Sequence, residues 1–374
     1  MVAPFTTDKL NGLSSNGYNV SLKVDSQAKL PPISRYPSLC FEDGNLAILA
    51  EQSYFLVHWG VLSHHSSYLD QLLNPSNFDA GNRLNTNDRL EGRPVFSVQE
   101  SPKDMFILLS ALYDGLSTIH EEVNDFQTLT VLLRLSTKYQ TTRLRLETVT
   151  LLLKSWPLTL DQWDHKEFGT SSTSRLFSLS DSSLNPIMII NLAREVDVLQ
   201  LLPSAFYDLS RQLPSSVAAG FLDSSSSHHQ LSHEDLVRLL QGRELASRFF
   251  STFIVNELEG RPPSRWCYNS NADDLERKKK CQIAFENITI ELLRDVNGVV
   301  CNRTSDPLFA MGEGFNLQSN DAATIGPRLS NKFRACDACR IEFAAAVDAA
   351  RQDFWNRLPE WFDVEIPAWR SSVQ

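Results

Sequence analysis

No run in this chain approaches the roughly 18 consecutive apolar residues that a membrane-spanning helix requires. Its opening, MVAPFTTDKLNGLSS, has neither a basic n-region nor an apolar h-region, so no secretory signal is expected. Basic residues are in deficit, with 35 Lys and Arg against 45 Asp and Glu for a formal charge of −10. That balance disfavours nonspecific binding to nucleic acid or to anionic membranes, since both reward a basic surface. Cysteine is sparse, 6 residues in 374, which argues against a disulfide scaffold. An intracellular, reducing compartment is the expectation, with nucleus and cytoplasm not distinguished. Missing too are GxGxxG, a Walker loop, HExxH and GxSxG. No enzyme, no cofactor and no small-molecule substrate is therefore expected.

What is present is an ordinary globular composition, 42% apolar and 21% charged, in a chain long enough for two domains. The most informative stretch is Asp43–Leu73, DGNLAILAEQSYFLVHWGVLSHHSSYLDQLL. Leu46 and Ile48, then Tyr54, Leu56 and His58, fall on period-two positions on either side of polar Glu51, Gln52 and Ser53. That pattern predicts a strand, a tight turn and a second strand. The period then becomes helical, with Val61, Leu62, Tyr68, Leu69, Leu72 and Leu73 at three- and four-residue intervals.

Residues 1–38 are polar, with Pro31, Pro32 and Pro37, and are expected to form a flexible arm. Asn74–Gly92 is rich in Asn, Gly and Asp and predicts a loop, followed by a strand at Pro94–Val98. Ser101-Pro102 is a helix start, a capping serine with proline in the first turn, and the helix ends at Asp114-Gly115. Helices are predicted at Phe126–Tyr139 and Leu144–Trp156, and a last short element at Leu158–Phe168. Ser-rich residues 169–183 predict a linker. Beyond it, Pro186–Leu213, Leu231–Glu259, Glu286–Val296 and Ile341–Leu358 show helical periodicity, while 302–332 suggest a long loop.

Several of these residues combine into a recognisable order. Asp43 precedes the first predicted strand and His58 ends the second. Leu62 and Ser67-Tyr68-Leu69 follow in the helical pair. Leu109, Leu112, Tyr113 and Gly115 form an L..LY.G helix end, and LRLSTKY, closing at Tyr139, comes before Leu144. This set resembles a BTB/POZ domain over residues 39–168. It is most similar to the fungal, mushroom-type BTB domain-containing proteins, in which a helical region with an LAREV…LLP.A.Y.LS segment also follows; Leu192–Ser210 reads LAREVDVLQLLPSAFYDLS.

The resemblance implies an α+β BTB/POZ fold, a small sheet with helical hairpins, followed by an all-helical C-terminal domain over 184–374 with long loops. It also implies a protein–protein interaction module that self-associates or docks a partner, as a scaffold in transcriptional regulation. The alternative it implies is a substrate adaptor of a cullin-based ubiquitin ligase. Protein partners are thus expected, a second copy or a cullin, and no direct contact with nucleic acid. Three positions depart from the family pattern. Trp59 stands where a basic residue usually follows the histidine. Pro31, Pro32 and Pro37 interrupt the place of a dimerising helix. Leu90-Glu91 is one residue off the spacing of a cullin-binding apolar-x-Glu motif.

Candidate chemistry is limited. No carboxylate or nucleophile is spaced to make His58 a general base, so it is expected to fix the strand-to-helix corner by hydrogen bonding. His64 and His65 project about 100° apart on a helix and make a poor metal pair. His228, His229 and His233 read as a solvated loop. Cys336-x-x-Cys339 can share a zinc ion on a turn, with Cys267 and Cys301, or Cys281, completing a structural four-cysteine set. Ordinary buried or free thiols are the alternative, and no metal is required by the sequence. Arg277–Lys280 is either a basic localisation patch or a charged helix face. Phe354, Trp355, Trp361, Phe362 and Trp369 crowd the end of the chain and predict a packed core for the last helix.

Overall fold

A computed structural model of the protein describes residues 32–73, 84–116, 126–168, 185–223, 226–294, 306–319, 332–366 and Trp369. The chain is mixed α+β, with one five-stranded sheet near the N-terminus and helices through the remainder. The sheet contains β1 (Ser34–Cys40), β2 (Leu46–Ala50), β3 (Ser53–Val57), β4 (Leu84–Leu90) and β5 (Arg93–Val98), in the spatial order β1-β3-β2-β5-β4. Between β3 and β4 lie α1 (Trp59–His65) and α2 (Ser67–Leu73). After β5 come α3 (Pro102–Asp114), α4 (Phe126–Lys138), α5 (Thr142–Leu153) and α6 (Leu160–Phe168).

The hairpin β2–β3 pairs Ile48 with Phe55 and Leu46 with Val57. Residues opposite each other share a face, so Leu46, Ile48, Phe55 and Val57 point together into a core with Phe96, Leu62, Leu69 and the helices. The other period-two set, Tyr54 and Leu56, faces the opposite side and closes a small cluster with Ala47 and Val95. Both sets are buried because β2 and β3 lie inside the sheet.

Two strands lie where the sequence predicted arm and loop. Ser34–Cys40 is a strand whose parallel pairing with β3 is interrupted between Arg35 and Cys40; its side chains are mostly exposed, which hides it from a hydrophobicity count. Leu84–Leu90 pairs antiparallel with β5 across a two-residue turn, with Glu91 at φ +50° and Gly92 at φ +79°. Two left-handed residues give the turn a twist that matches the flanking strands. Both are edge strands, where polar sequence is normal. The predicted arm over 1–31, part of the predicted loop (74–83) and all of the predicted Ser-rich linker (169–183) lie outside the described residues.

The C-terminal helices are α7 (Pro186–Glu195), α8 (Leu202–Ser210), α9 (Pro214–Ala219), α10 (His233–Phe253), α11 (Leu275–Arg294), α12 (Pro307–Ser319) and α13 (Asp337–Trp361). The predicted helix 186–213 is broken into α7 and α8 because Asp197 adopts φ +54° and Pro203 starts a new first turn. This half is not wholly helical: β6 (Phe221–Leu222) and β7 (His228–His229) form a minimal hairpin. Part of the loop predicted at 302–332 is α12. A Cβ on Gly314 would meet Leu292 and Phe343 only at ordinary contact distance. A Cβ on Gly242 of α10, by contrast, would run into the Phe362 ring, so glycine sets the approach of α10 to the end of α13.

Packing ties the two halves together. On α4, Leu132, Leu135 and Tyr139 just beyond it join the sheet core, whereas Phe126, Leu129 and Leu133 join the core of the C-terminal helices. On α5, Leu144 faces the sheet core and Val149 and Leu152 the other, as do Trp156 and Trp163. The Trp163 ring lies 5.4 Å from both Tyr207, edge to face, and Trp355, tilted. Around this aromatic seam lies a partly buried charge cluster, in which Asp306 is buried. Arg211 binds Glu167 and Asp306 at 3.0 Å and also pairs with Asp208, and Arg351 binds Asp164 at 2.6 Å. Burial alone would disfavour the Arg211 charge, but Asp208, Asp306 and Glu167 outweigh it. Tyr207 donates to Asp306 at 2.6 Å, and burial together with the Asp306 charge pushes its phenol far above the ordinary value. Removing one partner of such a cluster strands buried charge. Arg211→Met is therefore expected to lower stability by about 3–5 kcal/mol, read from urea unfolding; a change below about 1 kcal/mol would show that the cluster behaves as exposed pairs.

Candidate functional site

His58 is the N-cap of α1 but makes no side-chain cap of its own. Its ring spans two partners instead: Nδ1 lies 3.0 Å from the Tyr113 hydroxyl and Nε2 lies 3.3 Å from Asp43 Oδ1. The same hydroxyl accepts the His58 backbone N–H at 2.8 Å. A neutral imidazole satisfies the set: Tyr113 donates to Nδ1, and Nε2–H donates to Asp43. Burial raises the Tyr113 phenol above its ordinary value, which keeps it a donor. Three of the predicted signature residues, Asp43, His58 and Tyr113, are thus brought together as a corner brace. Gly115 ends α3 beside Tyr113 at φ +79°, a conformation that glycine adopts without strain.

The helical pair is held by residues the sequence pattern did not single out. Asn45 Oδ1 accepts the Trp59 N–H at 2.8 Å and caps α1 from the preceding loop. Trp59, in place of a basic residue, rests partly buried against the sheet core. Leu62 is buried as predicted. Ser67, by contrast, is exposed, and it is Ser66 that is buried. The Ser66 hydroxyl accepts the Leu69 N–H at 3.0 Å, capping α2, and donates to the Tyr139 carbonyl at 2.5 Å. A capping serine directly before Ser67 was the available signal, hidden by the Ser-Ser pair.

Tyr139 also donates to Glu100 at 2.9 Å, and Lys138 pairs with the same carboxylate. Burial opposes ionisation of Glu100, yet the Lys138 and Tyr139 hydrogen bonds together outweigh it and hold the carboxyl below its ordinary value. Glu91 belongs to a second brace. Its carboxylate takes a proton donor from Tyr54 at 2.5 Å and pairs with Arg35 of β1, and these hydrogen bonds bring its pKa down to about 2. The glutamate of the off-register Leu90-Glu91 pair is therefore engaged within its own sheet.

Among the described residues, one cluster has donor atoms close enough to share a metal ion: Cys267, Cys281, Cys336 and Cys339. Cys267 and Cys281 are thus the companions of Cys336 and Cys339; Cys301 lies outside the described residues. The histidines do not gather. His64 and His65 meet edge to face, His228 and His229 bond to the Ala219 carbonyl and to Asp223, and His233 is exposed at the start of α10. Arg277–Lys280 are exposed along α11. Beside the Arg211 charges, Asp164, Glu167, Asp306 and Arg351 line a half-open recess of about 10 Å³, room for about one water.

The Glu100 brace gives a signed pH dependence. A carboxyl depressed in the folded state contributes stability that is fully present above its unfolded pKa and is lost as pH falls through the folded one. Glu100→Gln should cost about 1–3 kcal/mol at neutral pH, and the gap from the unaltered protein should narrow in acid, as read from urea unfolding at several pH values. Tyr113→Phe should cost about 1–3 kcal/mol by leaving the His58 N–H without its acceptor, measured the same way. Comparison of the chain with models of known families and with curated proteins finds no match.

Proposed function

We propose that the sheet-bearing half is a BTB/POZ-like docking module through which this protein associates with a second copy of itself, and that the helical half positions a further protein partner. The observation that carries this reading is how the polar residues are used. Asp43, His58, Tyr113, Ser66, Tyr139 and Glu100 are all committed to bracing the α1–α2 pair against the sheet and α3–α4. Such bracing stiffens a surface without building a reaction centre. The braced pair presents Gly60, His64, Ser67 and Tyr68 outward. Tyr68 is an amphipathic aromatic of the kind enriched at interfaces.

The sheet adds a second kind of surface. Among the described residues β1 pairs only with β3 and β4 only with β5, so both are edge strands of the kind that strand addition uses. Pro37 and the irregular register of β1 blunt that edge against indiscriminate pairing. Ile33, beside β1, and Leu146, on α5, are exposed apolar side chains elsewhere on this half. The acidic balance of the chain supports a protein rather than a nucleic-acid partner. No described helix is long and apolar enough to cross a membrane.

Light scattering on the full chain eluting from a sizing column at tens of micromolar is expected to give the mass of a dimer. Tyr68→Asp, which places a charge on the outward face of α2, should weaken that dimer at least about tenfold. A strict monomer at that concentration, or a dimer indifferent to Tyr68→Asp together with charges placed at Leu146 and Ile33, would remove the reading.

A further inference from the structure

The sulfur cluster lies apart from the proposed docking surface, and three separate segments build it. Cys267 comes from the irregular stretch 261–274, Cys281 from α11, Cys336 is the N-cap of α13, and Cys339 lies in its first turn. All four sulfurs lie within 4.8 Å of one another. Cys267 Sγ is 3.7 Å from Cys281 Sγ and 3.6 Å from Cys336 Sγ. A tetrahedral zinc with Zn–S bonds of about 2.3 Å sets sulfur–sulfur edges of about 3.8 Å, so the quartet already has the size of that coordination shell. A disulfide would need about 2.05 Å between two sulfurs, and the near-equal distances from Cys267 single out no pair.

The surroundings fit a metal thiolate. The Ser264 N–H donates to Cys339 Sγ at 3.3 Å, the Cys336 N–H to Cys281 Sγ at 3.3 Å, and Asn269 Nδ2 to Cys281 Sγ at 3.1 Å. N–H groups aimed at sulfur, and the N-terminus of a 25-residue helix beneath two of them, both favour the charged form. In the stretch 261–274, Arg261 at its start pairs with Glu257 at 2.8 Å and lies over the Phe285 and Phe343 rings. Only Ser264 and Cys267 are buried there, and both touch the sulfur cluster, whereas Trp266 and Tyr268 are 76% and 77% exposed.

We infer that Cys267, Cys281, Cys336 and Cys339 hold one structural Zn²⁺ that fastens the 261–274 stretch and α11 to the start of α13. Each thiol releases its proton to solvent as its S–Zn bond forms. Four protein sulfurs fill the tetrahedron and leave no position for water, so the ion is a staple and not a catalyst. An all-sulfur set selects soft ions and discriminates against magnesium and calcium.

The test uses the full chain purified from zinc-supplemented medium. Elemental analysis should find one zinc per chain, released in step with mercurial titration of the thiols. Exchange with Co²⁺ should give the intense visible bands of a tetrahedral thiolate site. Cys281→Ser and Cys339→Ser should abolish stoichiometric zinc, while Cys40→Ser and Cys301→Ser keep it. If the ligand variants do not fold, the titration and the cobalt spectrum of the unaltered chain still decide. Zinc-free protein with a native fold, iron in place of zinc, disulfides among these four cysteines in freshly isolated protein, or loss of zinc in Cys301→Ser would each overturn the assignment.

Discussion

The structure depends on the α4–α5 hairpin having two apolar faces. Leu132, Leu135 and Leu144 seal the sheet core from one side, while Phe126, Leu129, Leu133, Val149 and Leu152 form one wall of the C-terminal core. A helix pair buried on both sides cannot leave one core without exposing the other. Full burial of one such leucine or phenylalanine is worth about 1.5–3 kcal/mol, so the residues on either face outweigh any single polar contact. Polar links then fix the orientation: Arg134 pairs with Glu195 at 2.6 Å, and Arg145 donates to the Val196 and Asp197 carbonyls at the end of α7.

That constraint separates the work of the two halves. The sheet half uses His58, Tyr113, Tyr139 and Ser66 at corners and caps, so the α1–α2 surface is held in a fixed geometry, as the proposed docking role requires. Preorganisation of this kind lowers the ordering cost of binding. The helical half uses Trp163, Tyr207 and Trp355 with the charges around Arg211 to lock α6, α8, α12 and α13 together. Lys166 and Arg211 also lie over the Trp163 ring, at 4.7 and 4.9 Å, so the same indole serves the core and the cations. Where aromatic packing gives out, in 261–274, the cysteines take its place.

Much of the first half was legible because its signals are local. The period-two run at Leu46–Leu56, the Ser101-Pro102 start and the Gly115 stop each depend on residues a few positions apart. What the sequence hid was set by distant partners. Polar β1 and β4 are strands because β3 and β5 offer them backbone edges. Gly312 and Gly314 suggested a loop, although both lie within α12, which packs on α11 and α13. The Cys336-x-x-Cys339 half of the sulfur cluster was visible as a spacing, and Cys267, Cys281 and Cys301 were its candidate companions; that Cys267 and Cys281 reach it follows only from the folding of α11 and 261–274. Ser66 and Asn45 were obscured differently. Each caps a helix from a position that sequence alone could assign equally well to a neighbour.

The account stands or falls on the shared wall, and hydrogen exchange read by mass spectrometry across a urea series tests it most directly. If α4–α5 couples the two cores, amides of β2 and β3 and those of α8 and α13 should lose protection at one common midpoint. Opening of the sheet strands at clearly lower urea, with α8 and α13 still protected, would show that the halves are independent and contradict the account.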